Sequence, residues 1–343
     1  MKKSFEIWLC RNSKSWSLTD ESFGPCQKDC SSVPIVKPSF PKRSWSPKPI
    51  RKVAKRRGFL NKGNTCYANA ILQCLSLFPS FWSDSPSSSD SSLPLVTAFR
   101  KMIFALEFPG KEAVDTSPFL SSLQKVARLS GKPSFDVFKQ QDVVEVLELV
   151  INELSGSSIP SSEAFNFRVN HCITCNVCFQ SHSSEDCGFV FSVPLAADVQ
   201  SGVKKFSETQ VLEGANSPFC YICSQPSNSD SRLSLSGVGP FLIVQLNRFS
   251  NSSGKLSKNS APISINPSIK VVSEVDLEVS CRHTFELVAV INHSGNLSGG
   301  HYTCCVKVSD CWWHCNDKAV VPTSFSKLGG ISPYMLFYRR LDS

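Results

Sequence analysis

The 343-residue sequence has no uncharged apolar run of the roughly 18 residues that a bilayer-crossing helix needs, so no segment reads as a membrane span. Charge is scarce: 19% of residues are Asp, Glu, Lys or Arg, against 41% hydrophobic. That balance supplies a sizeable core and excludes a wholly disordered chain. A secretion signal is also missing, because Glu6 and Arg11 interrupt the short apolar stretch after Met1-Lys2-Lys3. The chain is therefore expected inside the cell, nuclear and/or cytoplasmic, with its cysteines reduced. No internal repeat is present, and the length suits one large domain or two ordinary ones.

Acidic charge is lacking only locally. The net charge is +8, yet residues 1–57 hold 14 Lys+Arg against 4 Asp+Glu, leaving 22 against 24 for the rest. A nucleic-acid partner would rest on that tail alone, so none is expected of the body. The tail is rich in Ser, Pro and Lys and is expected to be mostly disordered. Its last stretch, Arg51-Lys52-Val53-Ala54-Lys55-Arg56-Arg57, reads equally as a nuclear-import signal and as a solvated linker.

From Gly58 onward the texture is globular. Helical spacing is expected over Asn69–Phe78 (Ile71, Leu72, Leu75 and Phe78 on one face), Leu95–Phe108, Phe119–Leu129 and Asp142–Leu154, with a Ser-rich stretch at 83–92. After about residue 165 the pattern turns to strands, clearest at Phe189–Leu195, Phe241–Phe249, Phe285–His293, His301–Val308 and Tyr334–Arg339. Helices followed by strands give an α+β fold.

Sixteen cysteines in a reduced chain read as ligands or nucleophiles where they cluster and as small buried hydrophobes where they do not. The second reading covers Cys74, Cys187, Cys281, Cys304, Cys305, Cys311 and Cys315. Two chelating pairs stand out, Cys175-x-x-Cys178 and Cys220-x-x-Cys223, which suit a tetrahedral, structural Zn²⁺. Cys172 makes a competing knuckle with Cys175.

The segment Gly58-Phe59-Leu60-Asn61-Lys62-Gly63-Asn64-Thr65-Cys66-Tyr67-Ala68-Asn69 leads a Gly/Asn-rich loop into a helix. A thiol in that first turn sees the positive end of the helix dipole, which favours the reactive thiolate. Loop N–H groups and the Asn61 amide are placed to bind an oxyanion. A thiol nucleophile needs a base, and Gly299-Gly300-His301-Tyr302 offers a histidine behind two glycines, with Asn316 and Asp317 downstream to orient it. His171, His182, His283, His293 and His314 read as ordinary structural histidines.

These boxes resemble those of the ubiquitin-specific protease family. The cysteine box falls on Gly58, Asn61, Gly63 to Tyr67, Asn69, Leu72 and Gln73. The histidine box falls on Gly300-His301-Tyr302, Trp312 and Asn316-Asp317-Lys318-Ala319-Val320, and the closing strand on Tyr334-Met335-Leu336-Phe337-Tyr338. The resemblance implies a papain-like cysteine protease with a helical thumb (about 58–165), β-rich fingers carrying the zinc knuckles (166–240) and a β-rich palm (241–343). It implies Cys66 as nucleophile, His301 as base, Asn316 or Asp317 as its orienting partner and Asn61 in the oxyanion hole. Phe138-Lys139-Gln140-Gln141-Asp142 resembles the box whose acidic residue contacts the basic tail of ubiquitin, so Asp142, Gln141, Tyr302 and Gly300 are expected at the substrate. Val143, Val146 and Asn247 depart from the family pattern. The implied function is a deubiquitinase acting on ubiquitinated proteins. The readings weighed against it are a protease for SUMO or another ubiquitin-like modifier and a modifier-binding scaffold.

Overall fold

The computed structural model describes residues 56–78, 94–107, 110, 112–156, 164–252, 255–276, 279–296, 299–330 and 332–341. The expected tail up to Lys55 and the Ser-rich stretch 83–92 lie outside the described residues.

Four helices come first: α1 (Cys66–Leu75), α2 (Pro94–Glu107), α3 (Ser117–Leu129) and α4 (Val143–Gly156). Helix α1 starts three residues earlier than its apolar stripe predicts, and all ten of its residues are buried. The stripe covers one face only. The other faces bury polar groups that find partners: Tyr67 Oη donates to Val137 O (2.8 Å), Asn69 Nδ2 to Asp317 Oδ1 (2.8 Å) and Gln73 Nε2 to Arg57 O (2.9 Å). A helix buried on all sides is a central element, and its polar residues must be satisfied from other segments.

The strands follow as β1 (Phe167–Cys175), β2 (Ser181–Gly188) and β3 (Val190–Val193), then helix α5 (Val199–Phe206), then β4 (Gln210–Leu212), β5 (Phe219–Cys220), β6 (Gln225–Pro226), β7 (Ser229–Val238) and β8 (Phe241–Leu246). After β9 (Phe249–Ser252) and β10 (Lys255–Lys258), which pair with each other, come β11 (Ser268–Asp276), β12 (Val279–Gly295), β13 (Gly300–Val308), β14 (Cys311–Asn316), β15 (Ala319–Thr323) and β16 (Pro333–Arg340). The main sheet runs β15-β14-β13-β12-β11-β7-β1-β2, and β16 pairs with β12 and β8. Strand β12 holds the sheet together: its first half pairs with β11 and its second half with β13, while β16 lies along it.

Alternation along the central strands splits the core in two. Ile243, Ile291, Val306, Met335 and Phe337 face α1 to α4, while Leu242, Val290, Cys305, Leu336 and Tyr338 face the second core with α5. Both faces of this part of the sheet are therefore covered, which places α1 against β13 in the protein interior.

Arg56 and Arg57, read from sequence as the end of the tail, are tied to this body. Arg56 donates to the Gln73 side chain (2.7 Å) and to Gln73 O (2.9 Å), at the C-terminal end of α1. Arg57 donates to Glu112 O (2.8 Å) and Ala105 O (3.0 Å). Among the single cysteines, Cys74, Cys304, Cys305 and Cys315 are buried as expected. Cys187 and Cys311 are exposed and Cys281 is half-buried, contrary to that expectation. Cys187 sits on β2, an edge strand exposed along nearly its whole length, and Cys311 opens β14 beside the turn from β13.

Candidate active site

The loop before α1 is fixed by its own side chains. Asn61 Oδ1 accepts from the N–H groups of Gly63 (3.0 Å) and Thr65 (3.2 Å), which fastens the turn and aims the Asn61 amide outward. That amide donates to Asp317 Oδ2 (2.9 Å), and Asn69 Nδ2 donates to the other carboxylate oxygen. One carboxylate thus ties the loop and the helix to the β14–β15 turn. The approach requires glycine at 58: a Cβ there would lie 2.3 Å from Asp317 O, where Phe59 N–H already donates (3.0 Å).

Cys66 opens α1 and is 4% exposed. Its Sγ accepts the backbone N–H of Tyr302, the residue after His301, at 3.5 Å. The His301 imidazole contacts Asn316 Oδ1 through Nε2 at 2.8 Å. A carbonyl oxygen only accepts, so Nε2 carries the proton and Nδ1 is left as the basic nitrogen. The two candidates for the orienting role therefore part: Asn316 holds the imidazole, and Asp317 holds Asn61 and Asn69.

Burial pushes the Cys66 thiol above its ordinary pKa; the N–H groups of Tyr302, Tyr67 and Cys66 itself pull it down, and the Asp317 carboxylate adds to the rise. The sequence reading expected the helix dipole to favour thiolate. Burial and a neighbouring carboxylate outweigh it.

Gly300 comes under the same constraint as Gly58, since a Cβ on it would lie 2.2 Å from His293 Nε2. His293 is a buried structural histidine, as expected, with its pKa lowered to about 4 by burial and by Lys258. The Tyr302 ring packs on it with centroids 4.6 Å apart, so the buried tyrosine meets the site through its backbone. Asp142 accepts the Val144 N–H (2.7 Å) and the Tyr334 hydroxyl (3.2 Å), with Gln245 donating to that hydroxyl in turn (2.8 Å). Gln141 points elsewhere, donating to Asp136 O (2.7 Å). Its neighbour Gln140, passed over at the sequence level, bonds Gly300 twice: its Nε2 donates to Gly300 O (2.9 Å) and its Oε1 accepts from Gly300 N–H (2.7 Å). Two adjacent glutamines gave no sequence signal for which would turn inward.

At the far end of the sheet, Cys175, Cys178, Cys220 and Cys223 bring their sulfurs within 4.8 Å of one another. The close pairs, Cys178–Cys220 at 3.6 Å and Cys175–Cys223 at 3.9 Å, approach the roughly 3.8 Å edge of a tetrahedron with 2.3 Å bonds. These four could hold a metal ion. Cys172 lies outside the group, with its Sγ 3.8 Å from Thr174 Oγ1. The N–H groups of Cys178 and Val177 lower the Cys175 thiol to about 6.

Comparison with known proteins bears on the whole arrangement. The chain is 25% identical to mouse ubiquitin carboxyl-terminal hydrolase 21 over 354 residues, covering 83% of this chain and 62% of that protein. It is 26% identical to rat ubiquitin carboxyl-terminal hydrolase 2 over 357 residues, covering 88% and 57%. The chain thus spans about three-fifths of the length of these relatives. In fold it is similar to the SAGA Ubp8/Sgf11/Sus1/Sgf73 DUB module bound to ubiquitin aldehyde, with a TM-score of 0.71 at 20% identity, covering 84% of this chain and 71% of that one. The α+β, papain-like architecture is that of this neighbour. The family model described as "Ubiquitin carboxyl-terminal hydrolase" matches residues 57–338. Since that match takes in the nucleophile loop, the histidine strand and the four-cysteine cluster together, the chain belongs to the ubiquitin carboxyl-terminal hydrolase family.

Proposed function

We propose that the protein is a thiol-dependent deubiquitinase, hydrolysing the isopeptide or peptide bond after the C-terminal glycine of ubiquitin on conjugated proteins. The observation that carries this reading is the Tyr302 N–H on Cys66 Sγ, which holds the nucleophile against the residue that follows His301, whose Nε2 is in turn tied to Asn316. His301 Nδ1 takes the thiol proton as Cys66 Sγ attacks the carbonyl carbon of the terminal glycine. The oxyanion is met by the second Asn61 amide hydrogen, the first being held by Asp317, and by the Cys66 N–H. His301 then protonates the departing lysine amine, leaving a thioester on Cys66. Water attacks that thioester with His301 as base, releasing the free C-terminal carboxylate and restoring the thiol. Asp142 supplies negative charge for the basic tail that precedes the two terminal glycines.

Zn²⁺ is the ion proposed for Cys175, Cys178, Cys220 and Cys223. Four thiolates close its coordination sphere, so it would cross-link the β1 and β5–β6 ends and supply no chemistry to the site.

The reading is tested by turnover of a panel of modifiers carrying a C-terminal fluorogenic amide. Ubiquitin amide is expected to be cleaved by the wild type and not by Cys66→Ala. Cleavage of SUMO amide in preference to ubiquitin would reassign the substrate, and equal cleavage by Cys66→Ala would remove the nucleophile.

A further inference from the structure

The amide of Gln140 occupies a piece of strand edge that leads straight to the nucleophile. In β13, Cys304 to Val308 pair with β14, whereas Gly300 to Thr303 have no β14 partner on that side. Gly300 and Tyr302 are two residues apart, so their N–H groups point to the same edge, about 6.7 Å apart along the strand. The Tyr302 N–H meets Cys66 Sγ. The Gly300 N–H and C=O both meet the Gln140 side-chain amide, at 2.7 and 2.9 Å. The donor and the acceptor that Gln140 offers meet the same two Gly300 groups that a strand running parallel to β13 would meet through the residues on either side of its partner.

We propose that Gln140 is a placeholder for the substrate backbone: its amide holds the Gly300 edge in the free protein and is displaced when an extended C-terminal tail pairs there. The proposal rests on the deubiquitinase reading and deepens it. A tail paired at Gly300 runs along the β13 edge toward Tyr302, which delivers its terminal carbonyl to Cys66. The single Gly300 N–H cannot serve two acceptors at full strength, so amide and tail exclude one another. A Cβ on Gly300 would meet His293 Nε2, so the strand packs directly on that ring at this edge. Apparent affinity for substrate is reduced by the fraction of molecules in which the clamp is open.

The test measures kcat and KM on ubiquitin C-terminal amide for wild type, Gln140→Ala and Gln140→Met, together with hydrogen exchange at the Gly300 amide in the free protein. With the placeholder gone, KM is expected to fall about threefold to tenfold, the worth of about one net hydrogen bond, with kcat within twofold of wild type. Gly300 exchange is expected to accelerate by a similar factor. Gln140→Glu, which can accept from Gly300 N–H but not donate to its carbonyl, is expected between wild type and Gln140→Ala. A KM that rises on Gln140→Ala would overturn the proposal, because the amide would then be holding the bound tail. An unchanged KM in active variants would also overturn it and leave the hydrolase reading standing. No ubiquitin turnover by any variant, with Gly300 exchange still accelerated by Gln140→Ala, would instead overturn the hydrolase reading and the substrate half of the proposal.

Discussion

Cys66 and Cys175 are both largely buried cysteines in one chain, and their surroundings push their thiols in opposite directions. Cys66 is raised by burial and by the Asp317 carboxylate, and Cys175 is lowered to about 6 by the N–H groups of Cys178 and Val177. The helix start that appeared from sequence to activate Cys66 is the weaker influence. A knuckle turn aims two N–H groups at one sulfur, whereas α1 begins inside the protein with a carboxylate nearby. The two thiols are thus shifted in opposite directions, and in the proposed mechanism Cys66 depends on His301 to take its proton at the moment of attack.

The sharpest way to break this comparison is to remove the His301 and Asp317 supports in turn. Asn316→Ala frees the imidazole, and kcat on ubiquitin amide is expected to drop by about 10²-fold with KM little changed, since orientation of the base is lost. A loss under threefold would show that Asn316 does not hold the base. Asp317→Asn separates charge from positioning. It removes a negative charge beside the sulfur, so the Cys66 pKa must fall, and alkylation by iodoacetamide should become faster at neutral pH. The same change weakens the anchor of Asn61, so kcat should drop although the thiol is more reactive. In the wild type the alkylation rate is expected to keep rising as pH passes 9, and a plateau reached near neutral pH would mean a resting thiolate–imidazolium pair.

The knuckle end should respond through stability. Cys220→Ser with Cys223→Ser, or removal of metal by a chelator, is expected to lower the Tm by about 5–10 °C, equivalent to about 3 kcal/mol for a domain of this size. Alkylation of Cys66 in the remaining folded protein should be nearly unchanged, because the two sites share no side chain. A Tm unmoved by chelator would argue against a bound ion.

The sequence made the site more legible than the fold, for a local reason. The nucleophile loop acts through neighbours such as Asn61 and Thr65, and its pattern is written in consecutive residues. Strand β2, Ser181–Gly188, carries no apolar alternation because it is an edge exposed along nearly its length, so nothing announced it. Helix α5 is only eight residues long and was hidden among strand signals. The expected strand Phe241–Phe249 breaks after Leu246, where the buried Arg248 turns in to donate to Pro333 O (2.6 Å), Asn259 O and Ala261 O (both 2.9 Å). The histidine box favoured Asn316 as the orienting residue with Asp317 as a possible sharer, and the hold of Asp317 on Asn61 and Asn69 was hidden because it depends on which segment that side chain meets across the fold. Arg56 looked like tail for the same reason: its partners lie 17 residues away, on α1.

The proposed hydrolysis requires that Cys66 be the group that attacks a ubiquitin C-terminus. Ubiquitin carrying a C-terminal alkyne warhead, incubated with the protein and digested for peptide mass spectrometry, reads this directly. The expected result is one covalent adduct, on the peptide containing Cys66, absent from Cys66→Ala and strongly slowed in His301→Ala. An adduct on any of the other cysteines, or one that persists in Cys66→Ala, would contradict it.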